Sequence, residues 1–100
     1  MANFNEQVEP LGKAGVARQL AAGATSANTA LSDGVYRISM RASTADIRFA
    51  IGSGAQTASA TTSHFIAKNE RLDFAVPIDA NIAIIRDGST NGTLELTELV

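Results

Sequence analysis

The feature that most constrains this chain is an alternation of apolar and polar residues with a period of two. Tyr36, Ile38 and Met40 alternate with Arg37, Ser39 and Arg41. Ile47, Phe49 and Ile51 alternate with Arg48 and Ala50, and Leu72, Phe74 and Val76 with Asp73 and Ala75. Leu94 and Leu96 face inward in the same way, with Glu95 and Thr97 outward. Successive side chains on a β-strand point to opposite faces, so each run reads as a strand with one buried and one wet side.

Turn chemistry separates the runs. Asp33-Gly34, Gly52-Ser53-Gly54, Lys68-Asn69-Glu70, Asp79-Ala80-Asn81 and Asp87–Gly92 all carry residues that favour reversals, and Pro77 ends a strand. His64–Ala67 is a short strand, and Ile82–Arg86 a β-branched, mostly buried one. Residues 55–63 are small and polar, a loop or a weak edge strand. Residues 14–22 fit either a short helix, with Gly23 as its cap, or a strand through Val16, Arg18 and Leu20. The Ser/Thr/Asn content of 25–29 opposes a helix, which favours two strands near 15–22 and 26–31.

About eight short strands spaced this closely predict an all-β fold: an antiparallel β-sandwich or jelly-roll-like barrel with an N-terminal arm. Helical crossovers are missing, which disfavours a parallel sheet. One hundred residues make one domain, read here as a β-sandwich over 14–100 preceded by an extended arm over 1–13. The arm carries isolated apolar residues at Phe4, Val8 and Leu11, which are the candidate partner-binding side chains.

Composition narrows the function. The net charge is -2, with 8 Lys and Arg against 10 Asp and Glu, and no basic cluster marks a nucleic-acid or anionic-membrane surface. There is no cysteine, so disulfides, thiolate metal sites and thiol nucleophiles are excluded. No signal peptide or membrane-length apolar run is visible, and the chain reads as soluble and made in the cytoplasm. A single histidine, His64, limits any triad and reads as a structural or surface residue. Gly52-Ser53-Gly54 lacks the third glycine and following helix of a dinucleotide loop. Asp87–Gly92 lacks the alternating acidic ligands of a calcium loop and reads as a hairpin loop. Asp46, Asp73, Glu95 and Glu98 read as solvated strand residues. Arg37, Arg41 and Arg48 could pair with Asp73 or Glu95 across strands, each for a few tenths of a kcal/mol. Tyr36 reads as core or rim. The expectation is a protein that is not an enzyme, has no cofactor or metal, and works through its surface. Ala50, Ala58, Ala60 and Ala75 are outward small residues that would let another backbone approach closely.

Residues 45–99 also resemble a family of small β proteins encoded among the head genes of tailed bacteriophages. The matching features are Ile47-Arg48-Phe49-Ala50-Ile51-Gly52, Thr57-Ala58, Phe65-Ile66, Val76-Pro77, Ile82-Ala83-Ile84-Ile85 and the closing Gly92-Thr93-Leu94-Glu95-Leu96-Thr97-Glu98-Leu99. Ala24-Thr25-Ser26-Ala27 and Ala30-Leu31 fit upstream, so the likeness covers about 14–100. The family usually has a glycine in the turn before its Val/Ile-rich strand, where this chain has Asp79-Ala80-Asn81. The resemblance implies a cement, or decoration, protein. Such proteins sit on the outer capsid surface of the virion, often as trimers, and bridge neighbouring major capsid protein subunits. The arm over 1–14 and the loops 52–63 and 87–92 would then meet the capsid or sister subunits. The alternative is a receptor- or glycan-binding β module of a phage tail or fibre.

Overall fold

The structure, a computed structural model, describes residues 14–99. These form eight strands and no helix: β1 (Ala14–Ala22), β2 (Ala27–Ala30), β3 (Arg37–Ser43), β4 (Ile47–Ser53), β5 (His64–Ile66), β6 (Arg71–Ala75), β7 (Ala80–Arg86) and β8 (Gly92–Leu99). Residues 14–31 are therefore two strands, as the period-two reading favoured. Proposed arm residues Phe4, Val8 and Leu11 lie outside the described residues.

Two four-stranded antiparallel sheets pack face to face, in the orders β1-β8-β3-β6 and β2-β7-β4-β5. Strand 1 pairs with 8, 2 with 7, 3 with 6 and 4 with 5. That is a single long antiparallel ribbon rolled up on itself, with β3–β8 and β4–β7 closing the roll. It is the strand order of a jelly roll. One consequence overturns an expectation. Asp87–Gly92 is not a hairpin loop, because β7 and β8 belong to different sheets and the segment crosses between them.

The alternation read from the sequence builds the core. Ile38, Met40, Leu94 and Leu96 from one sheet meet Ile47, Phe49, Ile82 and Ile84 from the other, all buried. Leu20, Ile51 and Leu72 pack at the margin. Tyr36 falls one residue before β3 and is 56% exposed, so it is a rim residue. Asp79, in the turn Asp79-Ala80-Asn81, takes a left-handed φ of 59°. Aspartate tolerates this conformation better than most side chains, which lets the turn form without glycine.

The outer face of the second sheet has its own cover. Register places Asn28, Ala83 and Ala50 in one row, pointing away from the core. Ala83 is nonetheless fully buried, and Ala58 is nearly so. The connection between β4 and β5 runs over this row. Gln56 N–H donates to Asn28 Oδ1 at 2.9 Å and Ala58 N–H to Ser26 Oγ at 2.8 Å. A Cβ on outward Gly52 would come within 2.8 Å of the Gln56 side chain. The close approach that small outward residues allow is thus made by the chain's own loop. This corrects the reading of Ala58 as an outward docking residue.

Because the loop sits directly on Ala83, an Ala83→Leu substitution should overpack the contact and destabilise by about 1–3 kcal/mol. Hydrogen exchange should speed up selectively at the Gln56 and Ala58 amides. Unchanged protection there would show that the loop does not rest on Ala83.

Candidate interaction site

The buried polar group nearest to chemistry is Glu98, only 1% exposed on the inner face of β8. Period two dictates this placement, since Leu94 and Leu96 precede it on the same side. It corrects the expectation that Glu98 is solvated. Arg18 Nε on β1 donates to Glu98 Oε2 at 3.0 Å, and Ser32 N–H donates to the same oxygen at 2.9 Å. Arg18 Nη2 also donates to Ser32 Oγ at 3.3 Å. One carboxylate oxygen therefore joins the first strand, the last strand and the β2–β3 crossing. The other, Oε1, is buried with no hydrogen-bond partner among the described residues.

Burial alone would raise the Glu98 pKa. The Ser32 N–H and hydroxyl and the Arg18 guanidinium outweigh it, and hold the carboxyl below its ordinary value of 4.5. A carboxyl lowered in the folded state binds fewer protons than in the unfolded chain. Its contribution is fully present above the ordinary value and is lost as pH falls through the lowered one. The arrangement ties β1, β8 and the β2–β3 crossing together.

The other expected ion pairs are redistributed. Arg48 Nε donates to Asp87 Oδ1 at 2.8 Å and Nη1 to Ser63 O at 3.0 Å, and its guanidinium lies 4.9 Å from the centre of the Phe65 ring. Arg41 donates to Asn69 Oδ1 at 2.9 Å. Neither takes Asp73 or Glu95 as its partner in these bonds.

The two ends of the sandwich differ in character. At one end, Thr44, Asp46, Lys68, Asp87 and Ser89 line a polar depression of about 290 Å³. Its carboxylates are engaged: Asp46 Oδ1 accepts the Lys68 N–H at 2.7 Å, and Asp87 accepts from Arg48. Among the described residues no group of three or more His, Cys, Asp and Glu could hold a metal ion.

The opposite end is apolar. Val16, Tyr36, Phe74 and Ile78 are exposed there, Ile78 by 63%. Beside them the two sheets part. The β5–β6 corner is tied to β3 where Asn69 N–H donates to Ala42 O at 2.8 Å. From that corner β5 and β6 diverge in different sheets. The gap is a groove of about 330 Å³ lined by Phe49, Ile51, His64, Leu72, Phe74 and Pro77. The Phe49 ring is centred 5.4 Å from His64 and 5.7 Å from Phe74. His64 is exposed on the groove wall.

The four sheet edges also differ. The outer edges are β1, β6, β2 and β5. Three of them are short, with five, four and three residues for β6, β2 and β5, and β2 is bonded to the covering loop. β1 has nine residues, AGVARQLAA. Its single charge, Arg18, is drawn to Glu98. A long edge strand without outward charge presents a row of main-chain donors and acceptors ready to pair with another strand. Sequence reasoning did not find this edge or the groove, because both depend on which strands end up at the margins. Comparisons with protein-family models, curated proteins and solved structures find no significant match.

Replacing Arg18 with Ala should cost about 3 kcal/mol at pH 7, since it strands a buried carboxylate. Wild-type stability should fall as pH drops below 4.5, and the Arg18→Ala protein should show a flatter dependence. Urea unfolding at several pH values measures both. Parallel pH profiles would mean that Glu98 does not set the acid sensitivity.

Proposed function

We propose that this chain is a structural virion protein. It acts as a cement protein on the outer capsid surface of a tailed bacteriophage, as a trimer that bridges and stabilises neighbouring major capsid protein subunits. The observation that carries this reading is the β1 edge: long, uncharged outward and unpartnered among the described residues. A protein that works alone usually blunts such an edge with charge, proline, a bulge or brevity; β1 has a register irregularity only at its start, between Ala14 and Ala17, and pairs regularly from Ala17 to Ala22. A protein that assembles uses it, because strand addition supplies main-chain hydrogen bonds and a defined geometry. The resemblance over 14–100 supplies the capsid as partner, and the jelly-roll order is one that capsid domains use.

The mechanism is mechanical. Each contact can be weak, because several contacts per oligomer act together at high local concentration. Binding the mature shell and not its loose subunits stabilises it by mass action. The rigid, doubly paired strands β8 and β3 in one sheet and β7 and β4 in the other hold the contact surfaces at fixed separation.

A second reading, a receptor- or glycan-binding module of a tail or fibre, draws on the exposed Tyr36 ring and on the use of jelly rolls by lectins. Fold alone does not choose between them.

Labelled protein followed by microscopy of virions separates the two. Signal spread over the shell is the cement outcome, whereas signal confined to the tail overturns it. The double substitution Ala17→Lys with Gln19→Lys places charge on exposed, outward edge positions. It should leave the fold intact by circular dichroism yet abolish co-sedimentation with capsids stripped of the protein. Full retention of binding would rule out β1 as the contact.

A further inference from the structure

We infer that the β1 edge pairs with the β1 edge of a second copy of this chain, antiparallel about a twofold axis through Gln19, so that two first sheets join into one continuous sheet. The pairing rests on the assembly role given to this edge above, and it specifies the edge's partner. A twofold contact closes on two copies. On a shell it therefore links one trimer to the next and is not the contact inside a trimer.

β1 follows β8 without a register break from Ala17 to Ala22. The other side of the same stretch is thus a regular row of main-chain donors and acceptors. The β6, β2 and β5 edges are too short to offer a comparable row.

Charge permits this edge to meet itself. Ala17, Gln19 and Ala21 are exposed on the outer face, while Arg18 and Leu20 are half-buried on the inner one. The single charge of β1, Arg18, is turned to the buried Glu98 carboxylate at 3.0 Å. The nearest outer-face charge is Glu95, the register partner of Gln19 on β8. Across the axis the two Glu95 side chains stand three strand spacings apart, about 14 Å. That exceeds the screening length of about 8 Å at physiological salt, and each Glu95 lies opposite Arg41 within its own sheet.

The edge is also poorly equipped for a foreign strand. Strand addition draws affinity from main-chain bonds and specificity from side-chain pockets beside the edge. Neither the polar depression nor the groove has a β1 residue in its lining, and the outward methyls of Ala17 and Ala21 are too small to build a pocket. What the edge does match is its own reversed sequence.

The register follows from elimination. Directly opposed side chains must share a face, so the axis passes through a residue. An axis through Arg18 sets two guanidinium groups directly opposite one another, which is unfavourable. An axis through Leu20 leaves Ala17 against Gly23, beyond the end of β1. An axis through Gln19 sets Ala17 against Ala21 and Arg18 against Leu20 of the second copy. The small methyls allow close approach, and Leu20 lies along the aliphatic stem of the arginine. Each Gln19 faces its own copy, and a carboxamide both donates and accepts, so the two side chains bond each other.

The chain has no cysteine, so single cysteines in the otherwise intact protein report on the pairing. Directly opposed residues have Cα atoms about 4.5–5.5 Å apart, inside the disulfide range. Under mild oxidation of the concentrated, isolated protein, Gln19→Cys should form a disulfide-linked dimer about tenfold faster than Ala21→Cys, whose two copies stand about 14 Å apart along the strands in this register. Thr61→Cys, exposed on the covering loop, sets the rate of random collision. A Gln19→Cys rate equal to that of Thr61→Cys overturns the proposal, whatever else takes the edge. An Ala21→Cys rate matching that of Gln19→Cys overturns it too, because the register is then wrong. Microscopy of labelled virions scores the cement reading separately. A shell signal without preferential Gln19→Cys dimers sinks this pairing alone, and preferential dimers with a tail-only signal sink the cement reading alone.

Discussion

Everything in this sandwich depends on β1 finding β8. The two lie at opposite ends of the described sequence, yet their pairing carries the first sheet's longest edge and forms the first pair of the ribbon. Backbone bonds alone would tolerate a slip in register, and a slip of one residue would turn every inward side chain outward. Arg18 and Glu98 oppose such a slip. Only in the observed register does the guanidinium meet a carboxylate that has given up its water, and only then does Ser32 N–H complete the same oxygen. Leaving that carboxylate buried without them would cost several kcal/mol. A single ionic contact therefore ties the edge strand, the central strand and one crossing between the sheets.

Much of the fold was legible because it rests on local alternation. The runs at 36–41, 47–51, 72–76 and 94–97 predict their own strands, and their inward residues are the core. The same rule, carried two residues further, places Glu98 inside. Treating its charge as proof of exposure hid this, although Arg18 sits on a strand of matching phase. Ala58 misled for a related reason. A small side chain allows close approach, but nothing local says whether the approaching backbone belongs to another chain or to the loop at 54–63. The supposed hairpin at 87–92 was misread because turn residues mark a reversal without saying which sheet the next strand joins.

The candidate site was largely illegible. An edge exists only once every pairing is known, and the groove arises from two short strands that share a corner and then part. Neither leaves a local signature. The four exposed hydrophobics at one end come from separate segments, 16, 36, 74 and 78, and their proximity follows from topology alone. Together, a polar end with engaged carboxylates, an apolar end with an open groove, and one unguarded edge describe a body with distinct faces.

The place of β8 has a consequence for the timing of synthesis. It is the last of the described strands to leave the ribosome, yet it lies inside its sheet with β1 on one side and β3 on the other. The second sheet can assemble earlier, since β2, β4, β5 and β7 all precede it. During translation the nascent chain is therefore half a sandwich, with the apolar faces of Ile47, Phe49, Ile82 and Ile84 awaiting their lid. The first sheet closes only once β8 is available, and a chain that stops before Gly92 has an open core.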